Sequence, residues 1–360
     1  METGYKRITI KIGSNVLTRT DGTLDITRMS ALTDQIAALR KKGIEVILVS
    51  SGAVAAGRSE VQTDRRLDSV AQRQLFSAVG QAKLINRYYE LFREHGICVG
   101  QVLTTKESFA TRNHYLNQRA CMQTMLQNGV LPVVNENDTI SVTELMFTDN
   151  DELSGLIATM MDADALIILS NIDGVYTGPP SDPASELLRE IAPRTELSQY
   201  VSTEKSGFGR GGMLTKTHIA RKVASEGVDV WIANGRRDDI LIRLTECPQE
   251  VPCTHFLPSP TPASSVKKWI AHSDGFCKGE IHLDSEATRT LLDGKIASIL
   301  PVGITHIEGE FDKDDIVRIT GADGTHIGIG RVSCDARTAR DECGCKDRKP
   351  IVHYDFLFIE

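Results

Sequence analysis

Two lysines, far apart in the chain, lie in settings suited to an anion. Lys11 falls inside Ile8-Thr9-Ile10-Lys11-Ile12-Gly13-Ser14. Strand alternation puts Ile8, Ile10 and Ile12 on one face and Lys11 on the other. Under a helix layer an ordinary lysine there is costly. It becomes reasonable near the strand end, beside Gly13, facing a negative group. Taken alone, the segment reads more simply as an edge strand with Lys11 in water. Lys216 closes Gly211-Gly212-Met213-Leu214-Thr215-Lys216, which opens a stretch rich in good helix formers. A glycine-rich loop entering a helix offers free N–H groups and a positive dipole end, which suits phosphate. The alternative is a flexible loop before a solvated lysine.

Polar groups gather where other apolar runs stop. Val49-Ser50-Ser51-Gly52-Ala53-Val54-Ala55-Ala56-Gly57 passes from a strand into small residues and then a helical stretch. Small side chains let a ligand approach the backbone, and the helix start supplies donors. An ordinary tight turn would look the same. Asn135-Glu136-Asn137-Asp138 directly follows Val130-Leu131-Pro132-Val133-Val134, as the lining of a polar pocket would. Thr148-Asp149-Asn150-Asp151-Glu152-Leu153-Ser154 starts another helix, and Asp and Asn are normal caps there.

Other chemistries find less support. No G-x-x-x-x-G-K-[ST] occurs, which disfavours a P-loop kinase. Gly207–Gly212 satisfies G-x-G-x-x-G, but the preceding Ser198–Ser206 is polar and irregular where a dinucleotide fingerprint needs a strand. Neither a His-centred constellation nor a G-x-S-x-G elbow accompanies these segments. Cys343-Gly344-Cys345, even with Cys334 and His353, lacks zinc spacing and reads as reactive or incidental thiols, so no metal ligands are assigned. His95 and His218 read as surface or satisfied core residues. Gly178-Pro179-Pro180-Ser181-Asp182-Pro183 reads as a turn.

The elements that must position these groups alternate. Strands are expected at 8–12, 46–50, 97–103, 130–135, 165–170 and 228–233. Runs such as Val46-Ile47-Leu48-Val49 are apolar throughout, as in parallel strands covered on both faces. Met29, Leu32, Ile36 and Leu39 keep helical spacing before Lys41-Lys42-Gly43, a basic last turn with a Gly stop. Helices are also expected at 69–95, 114–128, 151–162 and 214–226. The pattern predicts an α/β fold: an open, mainly parallel sheet sandwiched by helices, with ligands beyond the carboxyl ends of its strands. The texture changes at Leu257-Pro258-Ser259-Pro260-Thr261-Pro262. From about Phe276 strands are short and Gly turns frequent. Asp315–Thr320 and His326–Cys334 flank an Asp-Gly turn as a hairpin, and Ile351-Val352-His353-Tyr354 reads as a last strand. The expected organisation is a catalytic domain over 1–257, a junction over 258–275 and a small mostly β domain over 276–360.

Composition bounds the function. The 360 residues suggest roughly two domains at about 150 residues each. Lys+Arg 41 against Asp+Glu 48 gives −7, a poor balance for coating DNA or anionic membranes. Residues 276–360 hold 11 basic and 16 acidic side chains, so the small domain is the more acidic one. With 41% hydrophobic and 25% charged residues, wholesale disorder, collagen and coiled coil are excluded. No apolar run approaches the roughly 18 residues that span a bilayer. The opening Met1–Arg7 runs directly into a strand pattern containing Lys11, unlike a signal peptide. Eight scattered cysteines suit free thiols in a reducing cytoplasm.

Together these segments resemble the amino acid kinase superfamily and, within it, the glutamate 5-kinases. The resemblance rests on K-I-G-S-N-V-L at 11–17, S-S-G-A-V-A-A-G at 50–57, V-N-E-N-D at 134–138, D-N-D-x-L-S at 149–154 and G-G-M-x-T-K at 211–216. Residues 279–284 and 298–304 are similar to the PUA domain that many bacterial members carry. The chain departs from the family at Ser170-Asn171, usually Thr-Asp, and at Leu214, commonly Ser; both concern nucleotide contacts. The resemblance implies transfer of the γ-phosphoryl of ATP to the side-chain carboxylate of L-glutamate, the first step of proline synthesis. It implies Lys11, Lys216 and Asp151 as catalytic groups, with Asp151 orienting the two lysines. Ser51, Gly52, Ala53, Asn135, Asp138 and Asn150 would hold glutamate. Ser170, Asn171, Arg210, Gly211, Gly212, Met213, Leu214, Thr215 and Lys216 would hold ATP, with Mg²⁺ riding on its phosphates. Proline as inhibitor, a homo-oligomer (dimer or tetramer) and hand-off to glutamyl phosphate reductase are further implications. The alternatives are an acetylglutamate, aspartate, carbamate or uridylate kinase on the same fold, or RNA binding through the PUA-like part, for which Lys346, Arg348 and Lys349 are a local basic patch. The acidic balance of 276–360 argues against a phosphate-tracking surface. A gel shift of RNA that is lost on adding salt would favour the RNA-binding alternative, and no shift would count against it.

Overall fold

A computed structural model of the chain describes residues 4–62, 67–141, 147, 149–193, 212–260, 269–270, 276–293 and 297–359. It divides into two compact units, Met1–Ser108 with Leu116–Pro262, and Phe109–Tyr115 with Ala263–Glu360.

The first unit alternates strand and helix: β1 (Arg7–Ile12), α1 (Ser14–Leu17), α2 (Ile26–Lys41), β2 (Glu45–Ser50), α3 (Ala53–Arg58), α4 (Ser69–Arg93) and β3 (Val99–Thr104). Next in the chain come α5 (Glu107–Ala110) and α6 (Arg112–Gln127), of which residues 109–115 group with the second unit, and then, in the first, β4 (Leu131–Glu136), α7 (Asn150–Met160), β5 (Ala165–Ser170), β6 (Glu190–Ile191), α8 (Met213–Ser225), β7 (Asp229–Asn234), α9 (Ile240–Glu246) and β8 (Cys253–Phe256). The sheet order is β3-β4-β2-β1-β5-β7-β8-β6. All six expected strands are present and run parallel, in register pairs such as Lys11 with Val49 and Ile168. The sequence reading missed β6 and β8, which are two and four residues long; β8 pairs antiparallel to β7 and makes the sheet mixed. Elements this short carry no readable period.

The edge-strand reading of Lys11 is overturned. β1 lies between β2 and β5, and Ile8, Ile10 and Ile12 pack into one core with Met29, Leu32 and Ile36 of α2 and Leu84 of α4. The alternate residues Thr9 and Lys11 are buried too. Helix α2 begins where Asp25 accepts a hydrogen bond from Arg28 N–H at 3.1 Å and ends in Arg40 and Lys41, consistent with its capping pattern.

Helices α3 and α4 meet backbone to backbone. A Cβ on Gly80 would stand 1.8 Å from the Ala53 carbonyl oxygen, and one on Gly57 would stand 1.8 Å from that of Phe76. This contact holds α3, which follows directly on the Ser51-Gly52 turn.

The second unit holds β9 (Gly279–Leu283), α10 (Ser285–Leu292), β10 (Ile304–Gly309), β11 (Ile316–Thr320), β12 (His326–Val332), α11 (Ala336–Glu342) and β13 (Val352–Ile359). The sheet order is β10-β9-β11-β12-β13, parallel only between β9 and β11. The expected hairpin is β11–β12, closed through Gly324 at φ +80. The last strand is longer than the sequence suggested. Helices α10 and α11 were not foreseen, although Asp284 and Asp335 cap them through Ala287 and Thr338 N–H groups, each at 2.7 Å. Isoleucines of four strands, Leu283 and Leu357 form the core. Cys343 donates to the Ile304 carbonyl at 3.1 Å, and the eight cysteines are free. Of the expected junction, residues 261–268 and 271–275 lie outside the described residues. Among the described residues no helix is long and apolar enough to cross a membrane.

Gly80→Ala is expected to destabilise the protein by about 3 kcal/mol or more, at the top of the range for overpacking, because the clash is with backbone. Urea unfolding of the variant beside the wild type measures it; an unchanged midpoint would contradict the close approach.

Candidate active site

The carboxyl ends of β1, β2, β4 and β5 open onto one cavity of about 520 Å³. Helices α3, α7 and α8 point their first turns at it, through Ala53, Asn150 with Asp151, and Met213. Positive dipole ends therefore converge on the same space, and α3 and α8 start without a side-chain cap.

Asp151 is the electrostatic centre. It is the second residue of α7 and has no exposed surface. Lys11 Nζ makes a close ion pair with its Oδ1, and Lys216 Nζ lies 2.9 Å from its Oδ2. Lys11 is 4% exposed. Burial works to raise the Asp151 pKa, but the two ammonium groups overcome it and hold the carboxyl below its usual range. Burial likewise opposes the charge on Lys216, and Asp151 reverses that, so the lysine is raised above its ordinary value. Asp149 caps α7, accepting from the N–H groups of Asp151 at 2.9 Å and Glu152 at 3.1 Å. Its carboxyl is pushed up to about 7, first by burial and then by the negative charge of Asp151. Two cations share one low-pKa carboxylate, so the Lys11–Asp151–Lys216 trio itself carries a net positive charge.

On one side lies a neutral hydrogen-bonding wall. Gly52, left-handed at φ +108, turns the chain from β2 into α3 and leaves Ser51, Gly52 and Ala53 lining the space. Asn150 Nδ2 donates to Ser51 Oγ and to Asn135 Oδ1, both at 2.9 Å. Asn135 in turn donates to Gln81 at 2.8 Å. Ser50 is tied to the buried Tyr88 hydroxyl at 2.7 Å. Asp138 also lines the cavity, with Arg73 Nε at 3.6 Å.

Ser170, Asn171, Gly212 and Met213 line the opposite side. Leu214 and Thr215, in the first turn of α8, are not among the lining residues, and Leu214 is exposed. Arg210 and Gly211 lie outside the described residues. The cavity also takes in residues that sequence reasoning did not assign. Asp149 was read as an ordinary cap, which it is, while also facing the lysine pair. Glu136, buried, accepts from Ser141 Oγ at 2.7 Å and Phe147 N–H at 2.9 Å; its place inside the 135–138 cluster was the available signal. Pro179 and Pro180, read only as a turn, also reach the cavity, as does Arg58.

The chain also resembles known proteins in sequence. The sequence model of the amino acid kinase family matches residues 6–234, and that of the PUA domain matches residues 279–354. Glutamate 5-kinase of Bacteroides thetaiotaomicron is 68% identical over 360 residues, covering 100% of both chains. That of Chlorobaculum tepidum is 47% identical, covering 99% of this chain and 98% of its own. That of Trichlorobacter lovleyi is 41% identical over 90% of this chain and 86% of its own.

Removing the central charge tests the geometry. Asp151→Asn leaves two buried ammonium groups facing each other and is expected to cost about 3–5 kcal/mol of stability. A carboxylate held below its unfolded value of 3.8 contributes fully above that value and loses its contribution as the pH falls through the folded one. The Asp151 contribution to the gap between wild type and variant, read from urea unfolding, is thus expected to be complete above about pH 4 and to shrink below it, while the raised Asp149 carboxyl, which Asp151 helps to raise, narrows the gap again as the pH climbs toward 7. A gap that keeps growing below about pH 4 would exclude the ion-paired carboxylate.

Proposed function

The chain belongs to the amino acid kinase family, as do the glutamate 5-kinases it matches end to end, and on that footing we propose that it makes L-glutamyl 5-phosphate from L-glutamate and ATP, the first step of proline synthesis. The observation that carries the mechanism is the buried Lys11–Asp151–Lys216 bridge at the cavity wall.

The acceptor carboxylate has an ordinary pKa of about 4.3, so it is already the nucleophile at neutral pH and needs no general base. Its oxygen forms a bond to the γ-phosphorus while the bond from that phosphorus to the β-bridging oxygen breaks and ADP leaves. The obstacle is repulsion between two anions, so positioning and positive charge are what the protein must supply. At 4 Å and an effective dielectric near 20, one ammonium is worth about 4 kcal/mol to a unit negative charge. Lys11 and Lys216 neutralise the transferring group from two sides, and Asp151 keeps both ammonium groups charged and aimed. Ser51, Gly52 and Ala53 lie along the phosphoryl path. Asn135 and Asn150 hold the acceptor, and Asp138 takes its α-ammonium. Ser170, Asn171 and the 210–216 segment hold the nucleotide; Gly212 and Met213 at the cavity support this, and Lys216 serves both roles.

Magnesium is read here as an ion brought on the nucleotide phosphates, where it would withdraw charge from them. Both Asp151 oxygens already face lysines, and Asp149 spends one oxygen capping α7. The same reading puts the enzyme in the cytoplasm as a homo-oligomer, with proline acting at or beside the glutamate pocket, built partly from 135–151. Residues 142–146 and 148 of that region lie outside the described residues. The acyl phosphate product is short-lived in water, which fits direct hand-off to glutamyl phosphate reductase.

Trapping the product as its hydroxamate tests the reaction. With ATP and glutamate the wild type is expected to give hydroxamate, and acetylglutamate, aspartate or UMP to give no ADP above background. Lys11→Ala and Lys216→Ala should each lower kcat about a hundredfold or more. Near-normal turnover in either variant would remove that lysine from the mechanism.

A further inference from the structure

Helices α7 and α8 touch along one stripe. Asp151 and Gly155 are one turn apart on α7; Lys216, Ile219 and Val223 follow one another on a single face of α8. The Asp151–Lys216 ion pair sits at the top of this stripe. One turn below it, a Cβ on Gly155 would come within 2.8 Å of Val223 Cγ2 and 2.9 Å of Ile219 Cγ2. Both are methyl groups on β-branched carbons, not the far ends of flexible chains, so they do not swing aside.

Glycine is among the least favourable residues inside a helix. Gly155 is mid-helix, and its φ lies outside the left-handed range, so backbone freedom does not explain it. Space does. We infer that Gly155 is a positioning residue for phosphoryl transfer: the missing side chain lets α8 approach α7 closely enough to set Lys216 and the first turn of α8 against Asp151. This rests on the kinase reading of the site above.

Two further features make the seam decisive. Leu153 through Met160 are all buried, so α7 has no free side on which to retreat. α8 carries exposed residues, so added bulk displaces α8. The Lys216 side chain could stretch to follow Asp151. The N–H groups at Gly212 and Met213 cannot, because they move rigidly with their helix. A displacement near 1 Å at reacting groups can cost about a hundredfold in rate.

The test is Gly155→Ala in the full chain, beside Gly155→Ala/Ile219→Leu/Val223→Ala, in which both opposing methyl groups are removed. Gly155→Ala is expected to lower kcat at least tenfold and to raise the KM for ATP, with the KM for glutamate within twofold of wild type. The compensated variant is expected to return kcat to within threefold of wild type. Calorimetric titration with a non-hydrolysable ATP analogue reads the same seam without the acceptor: at least fivefold weaker binding in Gly155→Ala, restored in the compensated variant. A wild type that binds nucleotide but phosphorylates no glutamate would end the kinase reading and leave this binding test to decide the seam. Wild-type kcat and nucleotide affinity in Gly155→Ala would overturn the inference. So would equal rises in both KM values without loss of kcat. Should the single variant not fold, the compensated one decides: a folded protein with kcat still down tenfold overturns the inference, and recovery within threefold supports it.

Discussion

One carboxylate holds two ammonium groups out of water. Each of the three charges at Asp151, Lys11 and Lys216 would be expensive to bury alone, and a buried pair is seldom worth its own desolvation. The trio keeps an excess of positive charge instead of cancelling it. That arrangement is poorly suited to stability alone and well suited to a site that must attract a polyanion and a second anion together. The hydrogen-bonding wall and the helix N-termini complete the site around that charge.

The sheet is what makes the arrangement possible. Lys11 reaches the cavity because β1 is a central strand, flanked by β2 and β5, and ends beside the start of α7. Asp151 is fixed by its own helix, whose first turn is closed by the Asp149 cap. Ser51 to Ala53 are fixed by the backbone contact of α3 with α4, and the first turn of α8 by its packing on α7. Groups with very different positions in the sequence thus share a few ångströms because parallel strands deliver all their carboxyl ends to one edge. The described residues of the second unit form their own core.

Long or strongly patterned elements were legible. Strand-like segments, several of them near-continuous apolar runs and the first one alternating, gave the six parallel strands, and helical spacing with a basic last turn and a Gly stop gave α2. The hairpin was readable from its Asp-Gly turn. Short pieces were not: β6, β8, α10 and α11 offer too few residues for a period, and only their caps or pairing partners distinguish them. At the site, clusters after strands were visible as polar interruptions, whereas Asp149 hid behind a common capping role and Pro179-Pro180 behind a common turn.

By itself the sequence determined the alternation of elements, the end of the sheet where ligands belong, the kinship with a family of carboxylate kinases, and which residue types stood at the ends of strands. Only the tertiary structure decided that Lys11 is central and not at an edge and that Asp149 faces both lysines; for Asp151, whose role the family resemblance implied, it supplied the direct contact with each of them. The reason is range. Periodicity and capping act over a few residues and are written locally. Burial and charge pairing across 140 positions, from Lys11 to Asp151, and 65 positions, from Asp151 to Lys216, depend on strand order, which no local pattern specifies.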